Sequence, residues 1–468
     1  MKIIIYSLLL LFTNSLFAQQ QNCNCNQALE NLIVKIEKEY PGFADKTEDK
    51  FLYEKFKNNI LKQAKETTNT DCPGVLKSYT NFFKDPHLWV GANGVAFSNP
   101  ASKNEQPPTI NIDIAMFEKT IKNSKDKLEG IYSNEMYTFG VKKTNSNEYT
   151  GFIINSKYEQ WKPKDIKFRL FLNGKFVFAL LDRTIKTGSY EILDGSIIHL
   201  EDVSVVMVKN VPAPALSKAQ IDAKLDEMNN FYFKKITPKT ALLKLPSFEY
   251  QHLQIIDTLL ENNKLLLESE NLIIDLRGNP GGTTDAYPKL LPYISGKQIK
   301  HTRTEFLATQ TYINNLEAYK KTLDKNSSTE GIDNSIKKLK ENLGNFVSLS
   351  ETNSPDEQIQ TINVVPNSPK RIVILANGLT GSSAEYFLFI AKQSYKVKIL
   401  GKPSYGALDY GNAYLVDLAC SGYQVFLPTY RVSRVSDYPI DNIGIQPDIY
   451  MDANVGDWVK YAVEYLEH

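Results

Sequence analysis

RIVILANGLTGSSAEYFLFIAKQ, Arg371 to Gln393, reads as a buried strand, a Gly/Thr/Ser turn and a helix with an apolar face. The apolar run RIVILA is short and stops at Asn377-Gly378, which suits a strand rather than a helix. Ser382-Ser383-Ala384-Glu385 then carries the S-x-x-E spacing of a capping box, so the helix is expected to open at Ser382. KVKILG follows as another apolar strand, and NLIIDLRGNPGG (Asn271 to Gly282) is a strand that runs into a flexible turn rich in free N–H groups. Strand, helix, strand implies a crossover, hence an α/β unit with a partly parallel sheet. Ligands of such a sheet collect at the carboxyl ends of its strands. Ser382 stands at one of those ends, where a hydroxyl can face solvent while helix-start N–H groups point at whatever reacts with it.

Outward from this core, the grammar of the chain changes twice. Residues 1–18 have one early lysine, an apolar stretch and Ala18 before Gln19, the pattern of a signal peptide cleaved after Ala18. Residues 19–84 are expected to form a helical N-terminal domain, with Leu29, Leu32, Ile33 and Ile36 on one helix face. Residues 85–232 read as mostly β, with strands such as TINIDI, YTFGVKK, KFRLFL and KFVFALL between turn residues, and include a small barrel or sandwich. Residues 233–468 form the α/β core, with a charged helical insertion at about 309–348. The whole is an α+β multidomain chain.

Bulk composition narrows the function. The chain has 468 residues, 42% of them hydrophobic, and a formal net charge of +1. It can bury real cores, and nothing points to a nucleic-acid partner. Beyond the leader no stretch suits stable membrane insertion. Localisation is expected to be periplasmic or secreted, which permits disulfides. A bridge from Cys23 or Cys25 to Cys72 would tie down the mature N-terminus, and Cys420 reads as a buried thiol. His87, His199, His252, His301 and His468 form no short-spaced cluster with cysteines, so no metal or other cofactor is expected.

Three segments carry candidate chemistry. Ser382 is a nucleophile if a base and oxyanion donors meet it, and otherwise a helix cap. Gly281 and Gly282 offer N–H groups without side chains in the way, and Asp275 and Arg277 alternate along the strand before them. His87 in DPHLWV (Asp85 to Val90) can take a proton, or can pack beside Trp89. Sequence distance alone does not show that His87 and Ser382 meet.

Taken together, these segments resemble the S41 serine peptidases, the family of the C-terminal processing proteases and the tricorn core. NLIIDLRGNPGG matches the family's strand and oxyanion turn, LTGSSAEYF its nucleophile segment, ILGKPSYGALDYG its Gly-rich loop, and IDNIGIQPDIY its closing G-[IV]-x-P-D segment. The matches span about residues 238 to 455, with DPHLWV ahead of them. The resemblance implies a ClpP/crotonase-like core. It also implies Ser382 as nucleophile three residues before Glu385, and oxyanion donors on Gly282 (Gly281 as alternate) and Ser383. Lysine-type members carry their base just after the glycine of the Gly-rich loop. Here Ala407 follows Gly406, so a Ser-Lys dyad at that place is excluded, and Lys402 is the remaining lysine nearby. The tricorn-like branch takes a histidine in a D-x-H context, which Asp85-Pro86-His87 fits. Its orienting glutamate is replaced by Asp441, with Asp437 four residues earlier. The implied activity is an exported serine endopeptidase acting on peptide or unfolded protein through Ser382, His87 and Asp441. Asp275, Arg277, Glu385 and Asp437 support them. The alternatives are a catalytically inactive peptide- or ligand-binding protein on the same scaffold, and an esterase or amidase, though the G-x-S-x-G elbow of lipases is missing. The peptide-binding module of the processing proteases has no match in the middle region.

Overall fold

The structure is a computed structural model that describes residues 23–97, 106–324, 327–349, 357–420, 422–452 and 455–468. The leader expected over residues 1–18 lies outside the described residues. Among the described residues no helix is long and apolar enough to cross a membrane.

The chain enters through helices Cys25–Glu39, Lys50–Glu66 and Cys72–Asn81. The first is opened by a capping box: the Asn24 side chain accepts from the Gln27 N–H, and the Gln27 side chain accepts from the Asn24 N–H. Leu29, Leu32, Ile33 and Ile36 are buried as one face, against Tyr53, Ile60, Leu76 and Tyr79. Cys25, rather than Cys23, pairs with Cys72. Cys420 was expected as an unpaired buried thiol; it is bonded to Cys23 across 397 positions. The reason is a packing that local sequence does not reveal. Strand Trp89–Ala92 pairs antiparallel with Tyr423–Leu427, and Leu418, Val425 and Leu427 join the core of the helical region. The helices therefore rest on a hairpin from the far end of the chain.

The middle region contains a closed barrel of eight strands, which decides between the expected barrel and sandwich. From Gly130–Ser133 to Val205–Val211 each strand pairs antiparallel with the next, and the last pairs with the first. The two-residue alternation of buried Phe139 and Val141, Phe168 and Leu170, and Phe176 and Phe178 fills its interior. Gly151 lies under a ring: a Cβ there would approach Phe168 to 2.2 Å. The expected strand TINIDI is a correction. Thr109 makes a single bridge to Asp165, and Asp113 caps a helix, Ile114–Thr120, by accepting from the Met116 N–H.

The core is a six-stranded sheet in the order Tyr232–Lys235, Thr240–Lys244, Asn271–Asp275, Arg371–Ala376, Val397–Gly401, Ile449–Tyr450. All neighbours are parallel except the first pair. Its central strands are apolar on both faces, as a sheet covered on both sides requires. Leu272 and Ile274 face helices Leu253–Asn262 and Ser383–Ala391, whereas Ile273 faces helix Trp458–Glu467. The helical insertion is a pair, Gln310–Thr322 and Glu330–Glu341, with Ile313, Leu316, Ile336 and Leu339 in its own small core. Tyr423–Leu427 lies outside this parallel sheet, in the antiparallel sheet that carries Trp89–Ala92. That pairing brings the DPHLWV segment to the core.

Candidate active site

Three loops leave the carboxyl ends of adjacent parallel strands and converge: Leu276–Gly282, Asn377–Ser382 and Lys402–Asp409. The first two are tied together. The Gly381 N–H donates to the Asn279 carbonyl at 2.9 Å, and the Thr380 hydroxyl donates to the Leu276 carbonyl at 2.9 Å. Between them Ser382 is forced to φ 52° and ψ −120°, a left-handed conformation for a residue with a Cβ. Such a conformation costs about 1–3 kcal/mol and persists only where its surroundings hold it. They do here: the Ser382 N–H donates to Glu385 Oε2 (2.9 Å), and the Tyr386 N–H to the Ser382 carbonyl (3.0 Å).

Glu385 fastens this elbow to the Gly-rich loop. Its side chain is fully buried and accepts from the Ser404 hydroxyl (2.5 Å) and from the N–H groups of Gly406 (2.6 Å) and Ala407 (2.8 Å), besides that of Ser382. Burial pushes its carboxyl up, against the pull of these donors. Gly406 is required where it stands: its φ is +82°, and a Cβ would reach the Asn442 nitrogen at 2.6 Å.

Gly281 and Gly282 play different parts. The Gly281 N–H donates to Asn279 Oδ1 at 2.9 Å, which corrects its reading as an alternate oxyanion donor. Its own role is close approach, because a Cβ would stand 2.8 Å from Ser382 Cβ and 2.9 Å from the Ser383 nitrogen. Among the described residues the N–H groups of Gly282 and Ser383 have no hydrogen-bond partner, so both are free to meet an oxyanion.

His87 reaches the elbow from the antiparallel sheet. Trp89 stacks on Phe426 with ring centroids 4.9 Å apart, at the mouth of the strand pair. The Asp85 carboxylate accepts the His87 backbone N–H (2.8 Å), fixing the bend before that strand. His87 Nε2 then lies 3.4 Å from Ser382 Oγ, across 295 positions of sequence. This is long for a settled hydrogen bond and ordinary for a resting catalytic pair.

The acids are less complete. Asp441 Oδ1 accepts from the Leu408 and Asp409 N–H groups, both at 2.9 Å. Among the described residues its Oδ2 is buried without a partner, and so is His87 Nδ1. Burial, then the Asp85 charge, then Asp409 push the Asp441 carboxyl up to about 8. Asp409 itself is satisfied by Arg434 (2.6 Å) and the Ile440 and Asp441 N–H groups. Asp437 is exposed and accepts from the Ser436 hydroxyl at 3.4 Å, so the supporting role considered for it has no contact with the site. The state of Asp441 has a measurable consequence. An acid whose native value lies above its unfolded value holds a proton that the unfolded chain releases, so stability falls as pH rises from about 4 towards about 8. Thermal melts of Asp441→Asn should show a shallower fall over that window than the parent, because the amide does not titrate.

Asp275 and Arg277 pair with each other beside Glu201 of the barrel. Arg277 grips Asp275 with two bonds (3.0 and 2.8 Å), and Lys244 donates to the Arg277 carbonyl. Burial alone would raise the Asp275 carboxyl, but the Arg277 and Lys244 charges outweigh it and hold it well below the usual range. Lys402 is bonded to both oxygens of Asp202 in the barrel at 3.0 Å, away from Ser382. Asp275, Arg277, Lys244 and Lys402, with Glu201 of the barrel, line a cleft of about 1130 Å³ between barrel and core. Among the described residues no group of three or more His, Cys, Asp or Glu side chains could hold a metal.

The family model of peptidase family S41 matches residues 239–451, which contain Ser382, Glu385, Gly282 and Asp441. Over that span, the parallel core and its three converging loops, the chain matches peptidase family S41. No curated protein matches it. Among solved structures, mature CPAF complexed with lactacystin aligns with a TM-score of 0.51 at 14% identity, over 95% of this chain and 97% of that one. Mature CPAF alone gives 0.50 at 13%, over 95% of each chain. The photosystem II D1 C-terminal processing protease gives 0.40 at 12%, over 92% and 94%. At such identities the CPAF likeness is one of fold, and it extends across the helices and the middle region as well as the S41 core. His87 lies outside the matched span, as do Tyr40 and both cysteines of the Cys25–Cys72 bridge. In this chain the residue after Gly406, Ala407, presents a buried methyl and uses its N–H on Glu385. Sequence reasoning missed the contact of Tyr40 with Asp85, for which no local signal exists. It also gave Asp85 no part of its own, although its place two residues before His87 is a visible turn signal.

Proposed function

We propose that this chain is an exported serine endopeptidase that cleaves peptide bonds through an acyl-enzyme. The observation that carries the reading is the approach of His87 Nε2 to Ser382 Oγ, at a strained elbow beside two free N–H groups. On this reading His87 Nε2 takes the hydroxyl proton as Ser382 Oγ attacks the peptide carbonyl carbon. The Gly282 and Ser383 N–H groups receive the oxyanion, a contribution of about 3–4 kcal/mol per donor. The imidazolium then gives its proton to the leaving amine, whose bond to carbon breaks. Water, deprotonated by the same nitrogen, hydrolyses the ester and restores Ser382. Asp441 is the acid that would hold His87 Nδ1 once substrate tightens the site; its unpartnered oxygen and the unpartnered ring nitrogen support that role. The parallel sheet is then the ClpP/crotonase-like core that the resemblance implies. Export rests on the leader-like first 18 residues and accords with the two disulfides.

The same unpartnered nitrogen favours one second reading, a binding protein whose base is never oriented. Incubating the full mature chain with a fluorophosphonate probe separates them. The endopeptidase should be labelled at Ser382, located by mass spectrometry of its peptides, and should digest denatured casein. No labelling and no digestion over the neutral and alkaline range would end the proposal in favour of binding.

A further inference from the structure

We infer that Tyr40, at the end of the first helix, is a positioning residue for the base, acting through Asp85. The inference rests on the serine-histidine reading above and adds to it a group from outside the S41 core.

The argument starts from how His87 is held. Its ring nitrogen Nδ1 has no partner among the described residues, so in the resting structure the ring is placed by its backbone. That backbone is fixed by one oxygen of Asp85, which accepts the His87 N–H at 2.8 Å. The other oxygen of Asp85 accepts the Tyr40 hydroxyl at 2.8 Å. Both side chains are buried, Tyr40 at 2% and Asp85 at 6% exposure. Tyr40 is itself wedged between the rings of Phe83 and Tyr410, each 5.5 Å away. Gly42 crosses so close that a Cβ there would stand 2.4 Å from the Tyr40 hydroxyl oxygen. The phenol therefore has one place to be.

Asp85 also carries charge to the base. It is faced by the Tyr40 hydroxyl, by Lys46 from the short helix Phe43–Lys46, by His87 of its own loop and by Asp441 from the C-terminal loop. The Tyr410 and Tyr430 phenols and Asp409 complete the surroundings of this acid pair. Burial raises the Asp85 carboxyl, while the charge of His87, the His87 N–H and the Tyr40 hydroxyl pull it down. Burial, and next the Asp85 charge, push the Tyr40 phenol well up, so it keeps its proton and is the donor. Tyr40 thus favours the ionised carboxylate beside the imidazole, at the moment that ring becomes a cation.

The sign of a test follows. Without the hydroxyl, Asp85 ionises at higher pH, so a Tyr40→Phe enzyme should be most impaired at low pH and recover as pH rises. The measurement is the rate constant for fluorophosphonate labelling of the full mature chain, from about pH 6 to about pH 9. Tyr40→Phe should label roughly tenfold more slowly than the parent at the low end and approach it at the high end. Asp85→Asn removes the charge and sets an NH2 against one of the two donors, and should be slow at every pH. Thermal melts identify any variant that fails to fold, and the other variant then carries the test. A Tyr40→Phe deficit that is absent, or equal at all pH values, overturns the inference. So does parental labelling by Asp85→Asn. In either case Ser382→Ala must still abolish labelling. If it does not, the serine-histidine reading itself has failed, which is a distinguishable result.

Discussion

On the serine-histidine reading, replacing His87 by alanine should lower kcat/KM on a peptide substrate by roughly four to six orders of magnitude, and adding Ser382→Ala to it should lower the rate no further. The expectation follows from the shared step. A neutral serine hydroxyl is a poor nucleophile, and the His87 imidazole lies within reach of Ser382 Oγ, at 3.4 Å. Lysine at the alternative family position is absent, since Ala407 offers only a methyl, and Lys402 is held by Asp202. Removing either partner therefore removes the same event. The variant should fold. His87 is half-buried, and the bond that fixes its loop runs from its backbone N–H to Asp85, which alanine keeps. What remains is the stabilisation by the Gly282 and Ser383 N–H groups, which the mutation does not touch. Steady-state kinetics of the parent, the two single variants and the double variant decide the matter. A His87→Ala enzyme within tenfold of the parent would mean that another base serves Ser382. Additive losses in the double variant would mean that the two residues act in separate steps.

How far the sequence could be read depended on whether a feature was local. The strand-turn-helix from Arg371 to Gln393 announces itself by period and by punctuation, and the structure has a strand at Arg371–Ala376 and a helix at Ser383–Ala391. The parallel order of the core follows from crossovers, which are also local in kind. The barrel was legible as hairpins; its closure by Val205–Val211 on Gly130–Ser133 was not, because closure is a contact between strands far apart in the chain. TINIDI failed because Asp113 competes for the backbone as a helix cap. The Cys23–Cys420 bridge and the arrival of His87 have one cause, the pairing of Trp89–Ala92 with Tyr423–Leu427. Neither strand's pattern names its partner. Family resemblance supplied the suggestion that His87 and Ser382 belong together, but not the sheet that brings them within 3.4 Å, nor Tyr40 behind it.

Glu385→Gln, a change of one atom type, should lower the thermal stability by about 3 kcal/mol and kcat by roughly a hundredfold. All four groups around the Glu385 carboxylate are donors: the N–H groups of Ser382, Gly406 and Ala407, and the Ser404 hydroxyl. A carboxylate accepts all four, whereas a glutamine amide must turn its NH2 towards two of them. Placed at Oε2, the NH2 would confront the Ser382 and Ala407 nitrogens. Placed at Oε1, it would confront the Gly406 nitrogen and Ser404, whose oxygen already accepts the Ile445 N–H at 2.7 Å. Either way at least one buried N–H loses its acceptor, and another donor is crowded. The kinetic loss follows from the elbow. Ser382 sits at φ 52° because its N–H is held, and once that hold weakens the residue can relax to an ordinary helix-start conformation. The hydroxyl would then leave the line between His87 and the oxyanion donors. Melting curves and kcat measured on the same preparation test both halves. Parental stability together with parental kcat would show that the carboxylate is a bystander, and that some other contact keeps Ser382 strained.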